Sequence, residues 1–496
     1  MAVSRSLESE RKYDVDDRIA VPPLARFGEV HPEETVILRA VYFDTERRDL
    51  ARRLITLRRR AGGGDEGWHI KLPARLGRVE LHAPLADEPP AELLAHVAGV
   101  LRGRPLREVA RLSTSRTVTR VHGDDGEPLF EVADDLVSAT DVGTGILRIW
   151  REWEVELLAG APEGGKKRAA LLDAVQRELE AAGAEPASSA SKLARALGRS
   201  SLTDLPPVAA ASRDSSGLEI ARALIAAQLD ALIAADPGAR TDDTDGVHAL
   251  RTAIRRVRAV LAALRGVLDT SAVDPVREAL GEVGRALGRA RDAEVRRARL
   301  TALLEAEADA VGDELAELGP ALIGDALDEY RTAYEAVTEV LDSPRWFDAL
   351  DALDDLVARP PLGANALEPG RPVVREQLLR AARRTEKRWK KADDDASRHA
   401  ARKAARRTRY LAEALTSDAA PLFGGKVRAL GESAEALQDA LGEHRDASAL
   451  AARLGASDAP GHLRALADRE NDAARAALRE AKRAAKRFRA ASAALD

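Results

Sequence analysis

The sequence predicts a multidomain α+β protein: an N-terminal closed antiparallel β-barrel with helices, followed by an all-α bundle of two related halves. Three observations carry this. Up to about Leu158, apolar and polar residues alternate with the period of two of a strand. Beyond Leu218, strand signals give way to alanine-rich segments of helical periodicity. Within that second region the pattern His-x-x-Arg-x-x-x-Arg-Arg-x-Arg occurs twice, every position displaced by 151 residues (399 − 248). A matched pair of such strings marks a duplicated unit.

In the N-terminal region, Gly62-Gly63-Gly64 and Gly123-Asp124-Asp125-Gly126 punctuate segments rich in β-branched and aromatic residues. The alternation puts charge on one face. Glu8, Glu10 and Lys12 share a side, as do Arg58 with Arg60, His69 with Lys71, Arg78 with Glu80, and Glu152 with Glu154 and Glu156. Trp153, Val155 and Leu157 occupy the opposite face of the last strand. In an ordinary sheet such a face meets water. Several strands carrying both signs at period two also fit a barrel with a charged lumen. Helices are expected at 91–102 and 166–182.

The Ser/Pro/Asp-rich stretch 200–217, with Leu205-Pro206-Pro207, reads as an interdomain linker. The helical region beyond it is expected to break at Asp236-Pro237-Gly238, Ser343-Pro344, 360–372 and Ala459-Pro460-Gly461. The first repeat copy is His248, Arg251, Arg255, Arg256 and Arg258; the second is His399, Arg402, Arg406, Arg407 and Arg409, with Lys403 between. Each is echoed downstream, by Leu287-Gly288 with Arg291-Asp292 and by Leu441-Gly442 with Arg445-Asp446. At about 100° per residue, His248, Arg251, Arg255 and Arg258 fall within an arc of roughly 80°. Val247, Leu250, Ile254, Val257, Leu261 and Leu264 fill the neighbouring arc. Such a helix buries its aliphatic face and presents a row of guanidinium groups to a linear polyanion. Most charge runs are solvated faces laced with ion pairs. Here five basic residues and no acid lie between His399 and Tyr410, so helical partners are missing there. Anion binding is the reading favoured. The histidines either contact phosphate or orient the arginines.

The 496 residues suffice for two cores, and 45% hydrophobic content supports globular folding. A net charge of −5 hides segregation: bases cluster at 383–391, 402–409 and 482–489, acids at 305–355. Zero cysteines exclude disulfide scaffolds and Cys-ligated metal sites. No apolar run has signal-peptide or membrane-spanning length, so a cytoplasmic protein without membrane attachment is expected.

Glu8-x-Glu10-x-Lys12, Tyr42-Phe43-Asp44-Thr45, Leu57-Arg58-Arg59-Arg60, Ile70-Lys71-Leu72-Pro73, Glu154-x-Glu156 and Ser191-Lys192 occur in this order. Together they resemble the signature of the CYTH superfamily, the triphosphate tunnel metalloenzymes, over residues 4–197. Residues 218–494 resemble the CHAD domain, with 198–217 between the two, and the tandem is similar to bacterial CYTH–CHAD inorganic triphosphatases. The resemblance implies an eight-stranded tunnel that binds triphosphate along its axis, through Arg58, Arg60, Lys71, Arg116 and Lys192. It implies Glu8, Glu10, Glu154 and Glu156 as ligands of Mg2+ or Mn2+, with Glu80 a further candidate, and Lys12, Glu80 and Asp135 as catalytic groups. Fixed cations suit a polyanion in a low-dielectric lumen, and oxygen ligands suit those ions. Three alternatives stay open: Glu152 for Glu156, Asp134 for Asp135 and Arg120 for Arg116.

The function expected is metal-dependent hydrolysis of inorganic triphosphate to phosphate and pyrophosphate, with the helical region binding inorganic polyphosphate. The competing readings are a non-catalytic polyphosphate-binding protein at polyphosphate granules, a nucleotide or thiamine triphosphatase, and an adenylyl cyclase, for which no nucleoside pocket is visible. Nucleic acid ranks below polyphosphate: aromatics are 3% of the chain, Trp389 and Tyr410 being among the few near the basic helices. No protein partner is deducible.

Overall fold

The computed structural model describes residues 3–74, 77–199, 201–203, 207–311, 313–455 and 461–495. Ser200 and 204–206 of the expected linker, and Ala459-Pro460 of one expected helix break, lie outside the described residues. The chain divides into two units, Met1–Pro206 and Pro207–Asp496.

In the first unit the alternating segments form β1 (Ser4–Glu8), β2 (Glu10–Asp14), β3 (Glu29–Pro32), β4 (Val36–Asp44), β5 (Thr56–Ala61), β6 (Gly67–Pro73) and β7 (Arg78–Ala83). Then come the long β8 (Arg107–His122), β9 (Pro128–Asp141) and β10 (Leu147–Leu157), and the short β11 (Glu185–Pro186). Helices intervene: α1 (Asp49–Arg52), α2 (Ala91–Ala95), α3 (Ala98–Leu101), α4 (Gly165–Ala181) and α5 (Lys192–Ala196). The segment 91–102, expected as one helix, is two, because Val97 leaves helical geometry at φ −127°.

Every strand pairing is antiparallel, and the order is β1-β7-β6-β5-β4-β8-β9-β10-β2-β11, with β3 on β8. The sheet is barrel-like, as expected, although its hydrogen-bonded path has two ends. β1 and β2 are halves of one extended segment interrupted at Ser9; the first pairs with β7, the second with β10. At the break the Ser9 carbonyl accepts from the Leu157 amide (3.1 Å). Counting β1 and β2 as one segment, β7, β6, β5, β4, β8, β9 and β10 complete eight strands around the sheet. The outer face of β10, with Trp153 and Val155, buries against Val175 and Leu179 of α4. Trp150, Tyr42, Val137 and Leu112 on inner faces pack with Leu193 and Ala194 of α5.

The second unit comprises α6 (Gly217–Arg240), α7 (Gly246–Ala263), α8 (Thr270–Val311), α9 (Asp313–Leu341), α10 (Pro344–Ala358), α11 (Gly370–Trp389), α12 (Asp395–Ala414), α13 (Gly425–Leu454) and α14 (Gly461–Ala493). Ser343 caps α10 at Pro344, where a break was expected. The break expected at Pro237 comes later. Proline there removes the amide bond to the carbonyl of Ile233, and buried Asp236 offsets this by holding the turn, accepting from Arg240 Nε (2.6 Å) and Trp346 Nε1 (2.9 Å). The chain reverses instead at Asp242 and Asp245, both at positive φ. α7 buries Val247, Leu250, Ile254, Val257 and Leu261 in the main helical core. α7 packs on α8, α12 packs on α13, and α7 and α12 pack on each other. Among the described residues no helix is long and apolar enough to cross a membrane.

Candidate functional site

Strand parity sends the even-numbered residues of β1, β2, β5, β8 and β10 to the inner face, where they line a recess of about 230 Å³. Glu8, Glu10, Lys12, Arg58, Arg60, Lys71, Glu80, Arg116, Glu154, Glu156 and Lys192 all line it. Asp135, of the expected tunnel residues, lies behind this surface and is fully buried.

The charges are paired across strands. Lys71 Nζ meets Glu8 (2.6 Å), and Arg58 meets Glu80 (3.3 Å), which His69 Nδ1 also approaches (3.1 Å). Lys12 bridges Glu10 (3.1 Å) and Glu154. Arg116 grips Asp135 through Nε (2.7 Å) and Nη2 (2.6 Å), and reaches Glu154 (2.7 Å). Lys192 Nζ, at the start of α5, touches Asp135 (2.8 Å), Glu152 (2.7 Å) and Glu154 (2.7 Å). Burial alone would lower the proton affinity of Lys12 and Lys192; the surrounding carboxylates outweigh it and raise both. Burial pushes Glu8 up to about 7 against the pull of Lys71, and raises Glu156, again against Lys71.

The residues of the three open alternatives occupy distinct places. Asp134 turns to the other face and pairs with Arg151 (2.6 Å), while Asp135 faces inward. Arg120 shares the parity of Arg116 but pairs with Glu33 (2.7 Å) and Glu131 (2.9 Å), outside the recess lining. Glu152 does not line the recess; it sits beneath it against Lys192 and Trp150 Nε1 (2.6 Å).

The expected metal ligands Glu8, Glu10, Glu154 and Glu156 all line the recess; among the described residues, the single group of three acids with oxygens within 4.8 Å of one another is Asp135, Glu152 and Glu154. Lys192 sits among those three. A second grouping follows from register. Glu10 stands opposite Glu156 on β10, and Glu156 opposite Glu131 on β9. Like charges directly opposite one another are destabilising, so this row suits a divalent ion with oxygen ligands.

In the helical unit, Gly288 lies under Arg251 and Gly442 under Arg402: an added Cβ would sit 3.3 Å and 3.0 Å from the respective Nη2 atoms. Arg251 also meets Asp292 (3.1 Å). Burial, then Arg406, Arg251 and Arg402, lowers Arg255 to about 9; Arg406 falls to about 10, chiefly by burial. Neither Arg255 nor Arg406 makes an ion pair among the described residues. These four arginines form one concentrated positive surface where α7 meets α12. Burial lowers His399 to about 4 and also lowers His248, so both are neutral near pH 7.

The remaining expected row members do not join that surface. Arg256 and Arg409 turn to Glu413 (2.9 and 2.6 Å), and Arg409 also to Glu435 (2.7 Å). Arg258 donates Nε to the Arg277 carbonyl (3.0 Å), and Lys403 and Arg407 line a different groove. For Arg256, Lys403 and Arg407 the reason is helical, since adjacent positions differ by about 100°; Arg258 and Arg409 share the arc of the row and are withdrawn by the Arg277 carbonyl and by Glu413 and Glu435.

A CYTH domain model matches residues 6–195 and a CHAD domain model residues 223–455. Two Mycobacterium tuberculosis proteins, "Uncharacterized protein MT2285" (strain CDC 1551 / Oshkosh) and "Uncharacterized protein Rv2226" (strain ATCC 25618 / H37Rv), are each 36% identical over 469 residues, 89% of this chain and 87% of theirs. The chain belongs to the CYTH–CHAD family. Among solved structures it is similar to PptA from Streptomyces chartreusis (23% identity, 54% of this chain and 98% of that chain, TM-score 0.44). It is also similar to the CHAD domain from the plant Ricinus communis (21% identity, 59% and 98%, TM-score 0.40).

Sequence reading of this CYTH–CHAD protein missed Glu131 and Asp65, both at the recess; Asp65 pairs with Arg60. Glu131 was accessible, since the parity that turns Asp135 inward turns Glu131 inward too. Asp65 lies in a turn and carries no periodic signal.

Proposed function

We propose that the CYTH unit hydrolyses inorganic triphosphate to phosphate and pyrophosphate with a divalent metal, Mg2+ or Mn2+, and that the CHAD unit binds inorganic polyphosphate. The charge balance of the recess carries the first part. Seven cations line it (Lys12, Arg58, Arg60, Lys71, Arg78, Arg116, Lys192) and seven carboxylates (Glu8, Glu10, Asp65, Glu80, Glu131, Glu154, Glu156). Most are paired with each other. A triphosphate gains the cations only if another cation takes the carboxylates, so anion binding and metal binding are coupled.

Glu10, Glu156 and Glu131, with Glu8 and Glu154, would hold the metal, which when bound polarises phosphoryl oxygens and places a water for attack. Arg58, Arg60, Lys71 and Arg116 neutralise and align the phosphate chain. Lys12 stays protonated and stabilises charge that develops in the transition state. Glu80, kept ionised by His69, Lys71 and Arg58 despite burial, has too little proton affinity for a general base and instead orients Arg58 and Lys71 at the lumen. Asp135 acts through Arg116 and Lys192, as a positioning residue. The four central arginines of α7 and α12 support the polyphosphate reading, and granules rich in that polymer are the location it implies. A panel of inorganic triphosphate, thiamine triphosphate, ATP and long-chain polyphosphate tests the assignment with purified protein. Phosphate release should be fastest from inorganic triphosphate. Preference for a nucleotide, or formation of a cyclic nucleotide, would replace this reading.

A further inference from the structure

Outside the central arginine surface, α11 and α12 enclose a groove of about 250 Å³. Its walls are two cation pairs spaced one helical turn apart: Arg384 and Arg388 on α11, Lys403 and Arg407 on α12. Its floor is Ala381, Ala400 and Ala404; no acid and no aromatic residue lines it. None of the four cations makes a side-chain ion pair or hydrogen bond among the described residues. Beneath the groove, Thr385 and Thr408 share a buried hydrogen bond (3.0 Å) that fixes the two helices at this level. Four mutually repelling charges held by a rigid floor are a cost to the fold unless an anion offsets it.

The groove is also connected. Arg258 lies within electrostatic reach of both Arg406, on the central surface, and Arg407, on the groove wall. The proton affinity of Arg407 is lowered by burial first, then by Arg384. The missing aromatics separate two classes of polymer. Nucleic-acid strands draw much of their affinity from bases stacking on aromatic side chains, and none is offered here. A chain of bare phosphates has nothing to stack, and a narrow alanine-floored slot between cations suits it.

We propose that the α11–α12 groove is a second polyanion lane, which takes the outgoing stretch of an inorganic polyphosphate chain whose other part lies on the central arginines. The lane rests on the reading that those arginines bind polyphosphate. It makes the CHAD unit a length-selective binder: a short oligophosphate occupies the centre alone, while a long chain gains both surfaces at the effective concentration of a tethered ligand.

The test is equilibrium titration of the full chain with a short oligophosphate and with long-chain polyphosphate, over a series of salt concentrations. Arg384→Gln/Arg388→Gln should weaken long-chain binding roughly tenfold and reduce the slope of log affinity against log salt by about two. Short-oligophosphate binding and triphosphate turnover should be unchanged. Arg383→Gln/Lys387→Gln removes the same charge from exposed positions of α11 outside the groove lining, and should leave long-chain affinity near that of the parent. Arg255→Gln/Arg406→Gln should weaken both ligands. If that last pair changes nothing, the central reading fails. If it weakens binding while Arg384→Gln/Arg388→Gln matches the parent, the lane alone is refuted. Equal losses from the groove and control pairs would reduce the effect to net charge, and also refute the lane. Displacement of polyphosphate by single-stranded DNA in the parent, relieved in the groove variant, would assign the groove to nucleic acid instead.

Discussion

Gly442→Leu should separate stability from polyphosphate binding, without changing any charge. A Cβ at Gly442 would lie 3.0 Å from Nη2, 3.2 Å from Nε and 3.4 Å from Cζ of Arg402, so the guanidinium rests flat on the glycine. A leucine side chain needs that volume and expels the group. Glycine inside a helix costs about 1 kcal/mol relative to alanine, so the helix itself gains from the change. The loss falls on the ligand: one contact to a charged group is worth about 1.5–3 kcal/mol, roughly tenfold to a hundredfold in affinity. Gly442→Ala asks the guanidinium to give by only a few tenths of an ångström and should cost less. The assay pairs a long-chain polyphosphate titration with a thermal melt of the same sample. Affinity should fall while the melting temperature stays level or rises. Parallel losses would indicate a packing failure, and undiminished affinity beside a strong Arg402→Ala defect would show that the glycine does not seat the arginine; either result refutes the reasoning.

Lys71→Ala and Arg58→Ala should each raise KM and lower kcat for triphosphate by roughly tenfold or more, because contacts to a phosphoryl group tighten as its charge shifts; steady-state kinetics in which neither parameter moves would place those side chains outside the substrate path. Glu8 supplies a pH signature. Its pKa is raised from 4.5 to about 7, so its contribution to stability is present in full below about 4.5 and is lost as pH rises through about 7, by roughly 3 kcal/mol. Urea unfolding at a series of pH values should show this decline, and Glu8→Gln should flatten it; an unchanged slope in the variant would assign the titration elsewhere.

Much of the CYTH recess was legible because a strand's period of two is unforgiving. Once Glu8, Glu10 and Lys12 share a face with a lumen, the inward set on each neighbouring strand follows from parity. Parity is blind to depth, however. Arg116 and Arg120 are indistinguishable by alternation, and only the pairing of β8 with β3 and β9 shows Arg120 tied to Glu33 and Glu131. It is equally blind to register, which is what aligns Glu10, Glu156 and Glu131. In the helical unit the repeated string located α7 and α12 but overstated the row. Arg256 leaves the surface because a helix turns about 100° per residue, whereas Arg409 shares the arc of the row and is withdrawn from it by Glu413 and Glu435. Pro237 misled for a related reason. Its effect depends on its place in the helix, and the buried Asp236 that steadies that turn is answered by Trp346, more than a hundred residues away.

The coupling of anion and metal in the recess is tested most directly by phosphate release from inorganic triphosphate, measured on chelator-treated protein before and after adding Mg2+ or Mn2+. The account predicts no release before the addition, rapid release after it, and no recovery in Glu10→Gln/Glu156→Gln. Turnover that is equally fast in the presence of chelator, or undiminished in that double variant, would contradict it.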